Sequence, residues 1–84
     1  MSPTAVIALK VITPRRILCE AEAEEVSLPG LDGQIGILPG HRPMVVALGE
    51  GTLTFRAGAE SGSYDVRGGY AEVLGDRVLV FTSV

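Results

Sequence analysis

The feature that most constrains this chain is its punctuation. Glycine and proline interrupt short β-branched runs about every eight to twelve residues, and no stretch between them carries the spacing of a long amphipathic helix. Ten valines and five isoleucines are set against eleven glycines and five prolines, the mixture expected of short strands joined by tight turns. The pattern predicts an all-β fold, a small antiparallel β-sandwich of about eight to ten short strands. With 84 residues there is room for one small domain, read as spanning residues 1–84.

The strands are predicted from alternation. Ala5–Ile12 places Ile7, Leu9 and Val11 on one face. Pro14 ends it, and Ile17–Ala23 follows, with Glu20, Glu22 and Glu24 sharing a face that reads as a solvated edge. Val26 and Leu28 fall one residue out of phase with Ala21 and Ala23, so a break or bulge is expected at Glu24–Glu25, with Val26–Leu28 as a separate strand. Pro29–Gly33 reads as a loop made mobile by Gly30 and Gly33. Gln34–Leu38, Met44–Ala47, Leu53–Ala57, Tyr64–Val66, Tyr70–Leu74 and Arg77–Thr82 complete the set. Gly58–Ser63 is expected to be a polar connection, and Gly68-Gly69 a kink or close backbone approach.

Most reaction classes find no support in these residues. His41 is the single histidine and stands in a Pro-Gly-His-Arg-Pro turn without Ser or Asp at a telling spacing. Cys19 is the single cysteine, read as a small buried strand residue, and its solitude favours a reducing compartment. A zinc site needs about four N or S ligands, more than the chain supplies, so no metal and no cofactor is expected. No glycine cluster leads into Lys-Ser or Lys-Thr, and Lys10, the only lysine, lies in mid-strand rather than at a hairpin tip. The net charge of −3 disfavours nucleic acid, and the longest apolar runs, Ala5–Leu9 and Met44–Leu48, are too short to insert in a membrane. Composition alone leaves a small all-β interaction module, or a small β-barrel ligand-binding module that four aromatics would line poorly.

The segment Leu31-Asp32-Gly33-Gln34-Ile35-Gly36-Ile37-Leu38-Pro39-Gly40-His41-Arg42-Pro43 narrows this choice. It resembles the epsilon-subunit family of bacterial F-type ATP synthases, called delta in mitochondria, which carries a Gly-x-x-Gly-Ile-x-Pro-Gly-His-x-Pro core here. Val66-Arg67-Gly68-Gly69-Tyr70-Ala71-Glu72-Val73 is similar to the family's Gly-Gly-x-x-Glu-Val segment, and the resemblance runs from about Thr4 to Thr82. Gly33 and Gly36 are expected to allow close packing, Gly40 to supply a positive φ, and Pro43 to stiffen the exit.

The resemblance implies a non-catalytic rotor part of the central stalk, coupling c-ring rotation to the gamma subunit and ATP synthesis. It implies a peripheral location on the cytoplasmic face of the bacterial inner membrane. By position, Thr13, His41, Arg42, Pro43 and Val46 would contact gamma, and Leu31, Asp32, Gly33 and Gln34 the c-ring. Gln34 stands where many relatives have an acidic residue. The family's C-terminal helical hairpin has no counterpart before Val84, and the start Met1-Ser2-Pro3 looks natural. The chain therefore reads as a naturally short form, from which neither ATP binding nor inhibition by helix extension is expected.

Overall fold

A computed structural model of the chain describes residues 5–83. Nine strands follow one another: β1 (Ile7–Ile12), β2 (Ile17–Ala23), β3 (Glu25–Gly30), β4 (Gly33–Ile37), β5 (Met44–Ala47), β6 (Glu50–Ala57), β7 (Glu60–Arg67), β8 (Tyr70–Val73) and β9 (Arg77–Phe81). They form a five-stranded sheet, ordered β2-β1-β9-β8-β5, and a four-stranded sheet, ordered β4-β3-β6-β7. The expected sandwich is present, with one difference in strand direction. The first and last strands lie side by side and run parallel, Ala8 opposite Arg77 and Ile12 opposite Phe81. Neighbours joined by tight turns must be antiparallel, whereas β1 and β9 are separated by almost the whole chain and carry no such constraint.

Alternation builds the core. Ile7, Leu9 and Val11 of β1, Val78 and Val80 of β9, and Ala71 and Val73 of β8 point inward from one sheet. Val26 and Leu28 of β3, Ile37, Leu53 and Val66 meet them from the other. Cys19 is buried as expected. The Tyr64 phenol of β7 is pushed above its ordinary value, first by its polar and charge interaction with the Cys19 thiol and then by desolvation.

The phase slip at Glu24–Glu25 is where the chain leaves one sheet for the other. Ala23 ends β2 buried, Val26 begins the next inward set, and Glu24 lies between them as a bend. Glu24 is therefore not part of a solvated edge with Glu20 and Glu22. Its N–H donates to the Arg56 carbonyl (2.7 Å), its carboxylate accepts from the Gly58 N–H, and Arg56 Nη1 lies 3.5 Å from it. The crossover is thus clamped to the β6–β7 turn.

Three further expectations need correction. Pro29 and Gly30 belong to β3 and Gly33 to β4, so the expected loop is a two-residue turn, Leu31-Asp32, with Gly30 paired to Gly33. The polar connection at Gly58–Ser63 is likewise a short turn, because β6 and β7 pair out to Ala57 and Glu60. Polarity misled in both places: these strands have one face in water, and serine or glycine there costs little. Gly33 and Gly36 have open space where a Cβ would stand, so close packing does not explain them; the tight approaches are at Gly30, Gly51, Gly62 and Gly69.

Candidate functional site

Strand register sorts the surface into two ends and a flank. One end gathers the β1–β2 turn (Thr13–Arg16), the Leu31-Asp32 turn, Leu48-Gly49, Gly68-Gly69 and Thr82-Ser83, joined by bonds such as Leu31 N–H to Ala47 O (3.0 Å) and Thr82 N–H to Ile12 O (3.0 Å). The opposite end gathers Leu38–Pro43 and Gly75-Asp76, tied by Gly40 N–H to Gly75 O (3.0 Å). Strands of four to eight residues separate the two ends, roughly 13–26 Å at about 3.3 Å per residue.

At the first end, Leu31 is 69% exposed and Asp32 also faces water. The turn that carries them is anchored rather than mobile. Leu31 donates to Ala47, Gly49 donates to the Pro29 carbonyl (2.9 Å), and Gly30 bridges to Leu48. Gly33 takes up the turn with φ 129°. Gln34 folds back, its Nε2 donating to Ser27 Oγ (3.0 Å) and to the Thr52 carbonyl (3.2 Å). Of the four residues expected at the c-ring, Leu31 and Asp32 therefore form the projecting tip, while the Gln34 amide is occupied across the sheet.

The five residues expected at gamma do not form one patch. Thr13 is buried and its hydroxyl is spent on its own turn, donating to Arg16 O (3.0 Å) and accepting from the N–H groups of Arg15 (3.3 Å) and Arg16 (3.2 Å). It also stands at the end opposite His41. Val46 is 4% exposed and points into the core. Its neighbour Val45, 70% exposed, is the residue of β5 that faces out. His41, Arg42 and Pro43 do stand together, on the turn that Gly40 makes with φ 87°. His41 Nδ1–H donates to the Arg42 carbonyl (2.8 Å), which leaves Nε2 for an outside partner.

Sequence reasoning missed the outer face of the five-stranded sheet. Pairing aligns Ile17 with Ile12, Ile12 with Phe81, Phe81 with Tyr70, and Tyr70 with Ala47. One row of apolar side chains therefore crosses all five strands on the side away from the core. Tyr70 and Phe81 stack at its centre, ring centroids 5.0 Å apart. A groove of about 340 Å³ lies there, lined by Ile12, Pro14, Gly69, Tyr70 and Phe81. The signal was present in β9, where Leu79 and Phe81 leave the outward positions as apolar as the inward Val78 and Val80. No strand shows the whole row by itself.

Among the described residues, no group of three or more His, Cys, Asp and Glu side chains is arranged to hold a metal ion. No helix of the described residues is long and apolar enough to cross a membrane. What the sandwich presents is shape and surface: an anchored turn at one end, a His-Arg-Pro turn at the other, and an apolar face between them.

The nine strands in two facing sheets place the protein in the class of small β-sandwich domains. Residues 6–84 match the family described as the ATP synthase delta/epsilon chain, beta-sandwich domain, and the chain belongs to that family. It is 42% identical to the ATP synthase epsilon chain of Solibacter usitatus over 93% of its own length and 58% of that protein's. It is 44% identical to the epsilon chain of Synechococcus elongatus over 92% of its length and 56% of that protein's. The chain thus spans somewhat more than half the length of these relatives. In fold it is similar to a chain of the Euglena gracilis mitochondrial ATP synthase, in a structure of OSCP, F1 and the c-ring (TM-score 0.85, 24% identity, 98% of this chain and 53% of that one). It is also similar to a chain of the Tetrahymena thermophila mitochondrial ATP synthase central stalk and c-ring (TM-score 0.75, 13% identity, 93% and 63% covered).

Proposed function

We propose that this chain is a central-stalk subunit of an F-type ATP synthase, a non-catalytic rotor part that joins the gamma subunit to the c-ring. The observation that carries the reading is the match of residues 6–84 to the epsilon-chain sandwich, supported by relatives more than 40% identical along nearly all of the chain. A rigid sandwich suits the role. Torque would pass through a body whose inner strands are bonded on both sides and whose turns are tied back to the sheets, with little lost to local bending. Its place is peripheral, at the cytoplasmic face of a bacterial membrane, held by the rotor and not by insertion.

Gamma would lie along the flank formed by β5 and the outer face of the five-stranded sheet. His41, Arg42 and Pro43 mark one end of that flank, Val45 its edge, and Tyr70 and Phe81 its apolar centre. The Leu31-Asp32 turn would meet the c-ring. Calorimetric titration of gamma into the chain tests the reading, and absence of binding at micromolar concentrations overturns it. Vesicles stripped of epsilon chain supply a second measure, since added chain should restore proton-driven ATP synthesis.

Two variants follow. His41→Ala and Arg42→Ala should each weaken gamma binding by about 1 kcal/mol, roughly fivefold, as polar groups on a preorganised turn. Unchanged affinity in both would remove this end of the interface. Asp32→Lys should leave gamma affinity and the fold intact but lower ATP synthesis about two- to fivefold. A single exposed charge contact is worth about 0–1 kcal/mol, and reversal places repulsion at the site of every contact with the ring. Wild-type synthesis rates in Asp32→Lys vesicles would show that the tip does not carry the ring contact.

A further inference from the structure

The chain is acidic overall, yet the end that carries Asp32 and Glu50 also carries three arginines. Arg15 and Arg16 project from the β1–β2 turn, and Arg67 from the end of β7 on the other sheet. All three are exposed, and none makes an ion pair among the described residues; the pairs present involve only Lys10 and Arg56. Glu50 stands opposite Arg67 in the β6–β7 register without pairing with it. Arg15 and Arg67, together with Pro14 and Ser83, line one groove of about 320 Å³, so residues 52 positions apart are brought to the same opening. Arg15 and Arg16 line the adjoining hollow with Thr13 and Leu18.

Their supports are fixed. The Thr13 hydroxyl holds the turn that carries Arg15 and Arg16 through three hydrogen bonds. Arg67 is pinned to the C-terminal end of β9 on both sides: its N–H donates to Thr82 Oγ1 (3.0 Å), and its carbonyl accepts from Ser83 Oγ (3.0 Å). Two of the residues that line the arginine groove, Pro14 and Ser83, also line the apolar groove of Ile12, Tyr70 and Phe81. An apolar trough therefore opens onto a bracket of planar, permanently charged donors, the arrangement that takes a carboxylate at the margin of an apolar segment.

We propose that Arg15 and Arg67, flanked by Arg16, clamp acidic side chains at the margin of the gamma segment that fills this trough. The inference rests on the proposed central-stalk role and names the chemistry of the partner there: an apolar stripe edged by Asp or Glu. The charges set orientation and encounter rate, and the apolar row supplies most of the affinity.

The test is calorimetry of the whole chain with the host's gamma subunit at about 50 and 300 mM salt, the range over which exposed charges become screened. Wild-type affinity should fall about tenfold between these conditions. Arg15→Gln with Arg67→Gln should lower the low-salt affinity about tenfold, and Arg15→Glu with Arg67→Glu still further, each with a flattened salt response. The side chains make no internal bonds, so urea unfolding midpoints should match wild type. Binding of wild type to gamma that ignores both salt and these substitutions would overturn the clamp while leaving the stalk role standing. No binding of wild type at all would overturn both. A second copy as occupant would appear as self-association lost in the arginine variants with gamma binding unchanged. A membrane would appear as arginine-dependent binding to vesicles of phosphatidylglycerol with gamma binding unchanged. Either result would overturn the clamp.

Discussion

Gly69→Ala is expected to remove a large share of the stability of this domain. Gly69 has φ 96°, and a Cβ there would stand 1.9 Å from the Phe81 carbonyl oxygen and 3.0 Å from its carbon. The obstacle is backbone, so no rotamer change relieves it. Either β8 or the end of β9 must move, and both carry buried core residues. The left-handed conformation costs an L-residue about 1–2 kcal/mol, and forcing the strands apart adds about 1–3 kcal/mol. An 84-residue domain has roughly 4–13 kcal/mol in total. Gly68 is the internal control. Its φ is 69°, but open space lies around its Cβ position, so Gly68→Ala should cost only about 1 kcal/mol. Urea unfolding of the two variants measures the difference; equal midpoints would show that the clash relaxes without cost.

Tyr70→Asp is expected to have the largest effect on assembly, lowering gamma affinity roughly 30-fold or more, the equivalent of about 2 kcal/mol. Tyr70 is 44% exposed, so the fold should tolerate the change. It nevertheless stands at the centre of the row from Ile17 to Ala47 and stacks on Phe81. A carboxylate there would lose the aromatic contact and be taken out of water against an apolar partner without a cation to meet it. Tyr70→Phe separates the two contributions. It keeps the ring and should bind nearly as well as wild type. Calorimetry with gamma, beside a thermal melt of each variant, decides the point. Wild-type affinity in Tyr70→Asp would move the gamma interface off this face.

The sequence carried the local decisions about this protein. Alternation at Ile7, Leu9 and Val11 gave a strand and its buried face, because side chains of an extended chain point to opposite sides in turn. The slip between Ala23 and Val26 marked where one sheet yields to the other. The Pro-Gly-His-Arg-Pro turn and its positive-φ glycine were legible, as was the family to which the chain belongs. The tertiary structure decided what register and distance control. That β1 and β9 lie parallel follows from no local rule. Ser61, Ser63 and Gly33 look like loop residues, and only pairing across the sheet placed them in strands. Val46 differs from Val45 by one position, and that position separates core from surface. Thr13 and His41 were grouped by resemblance, but the length of the sheet sets them at opposite ends. Ile17, Ile12, Phe81, Tyr70 and Ala47 become one surface only because five strands bring them into line, and Arg67 reaches Arg15 only through the end of the sandwich. Period-two patterning fixes which way a side chain points; which other side chains it joins there is set by the order of strands in the sheet.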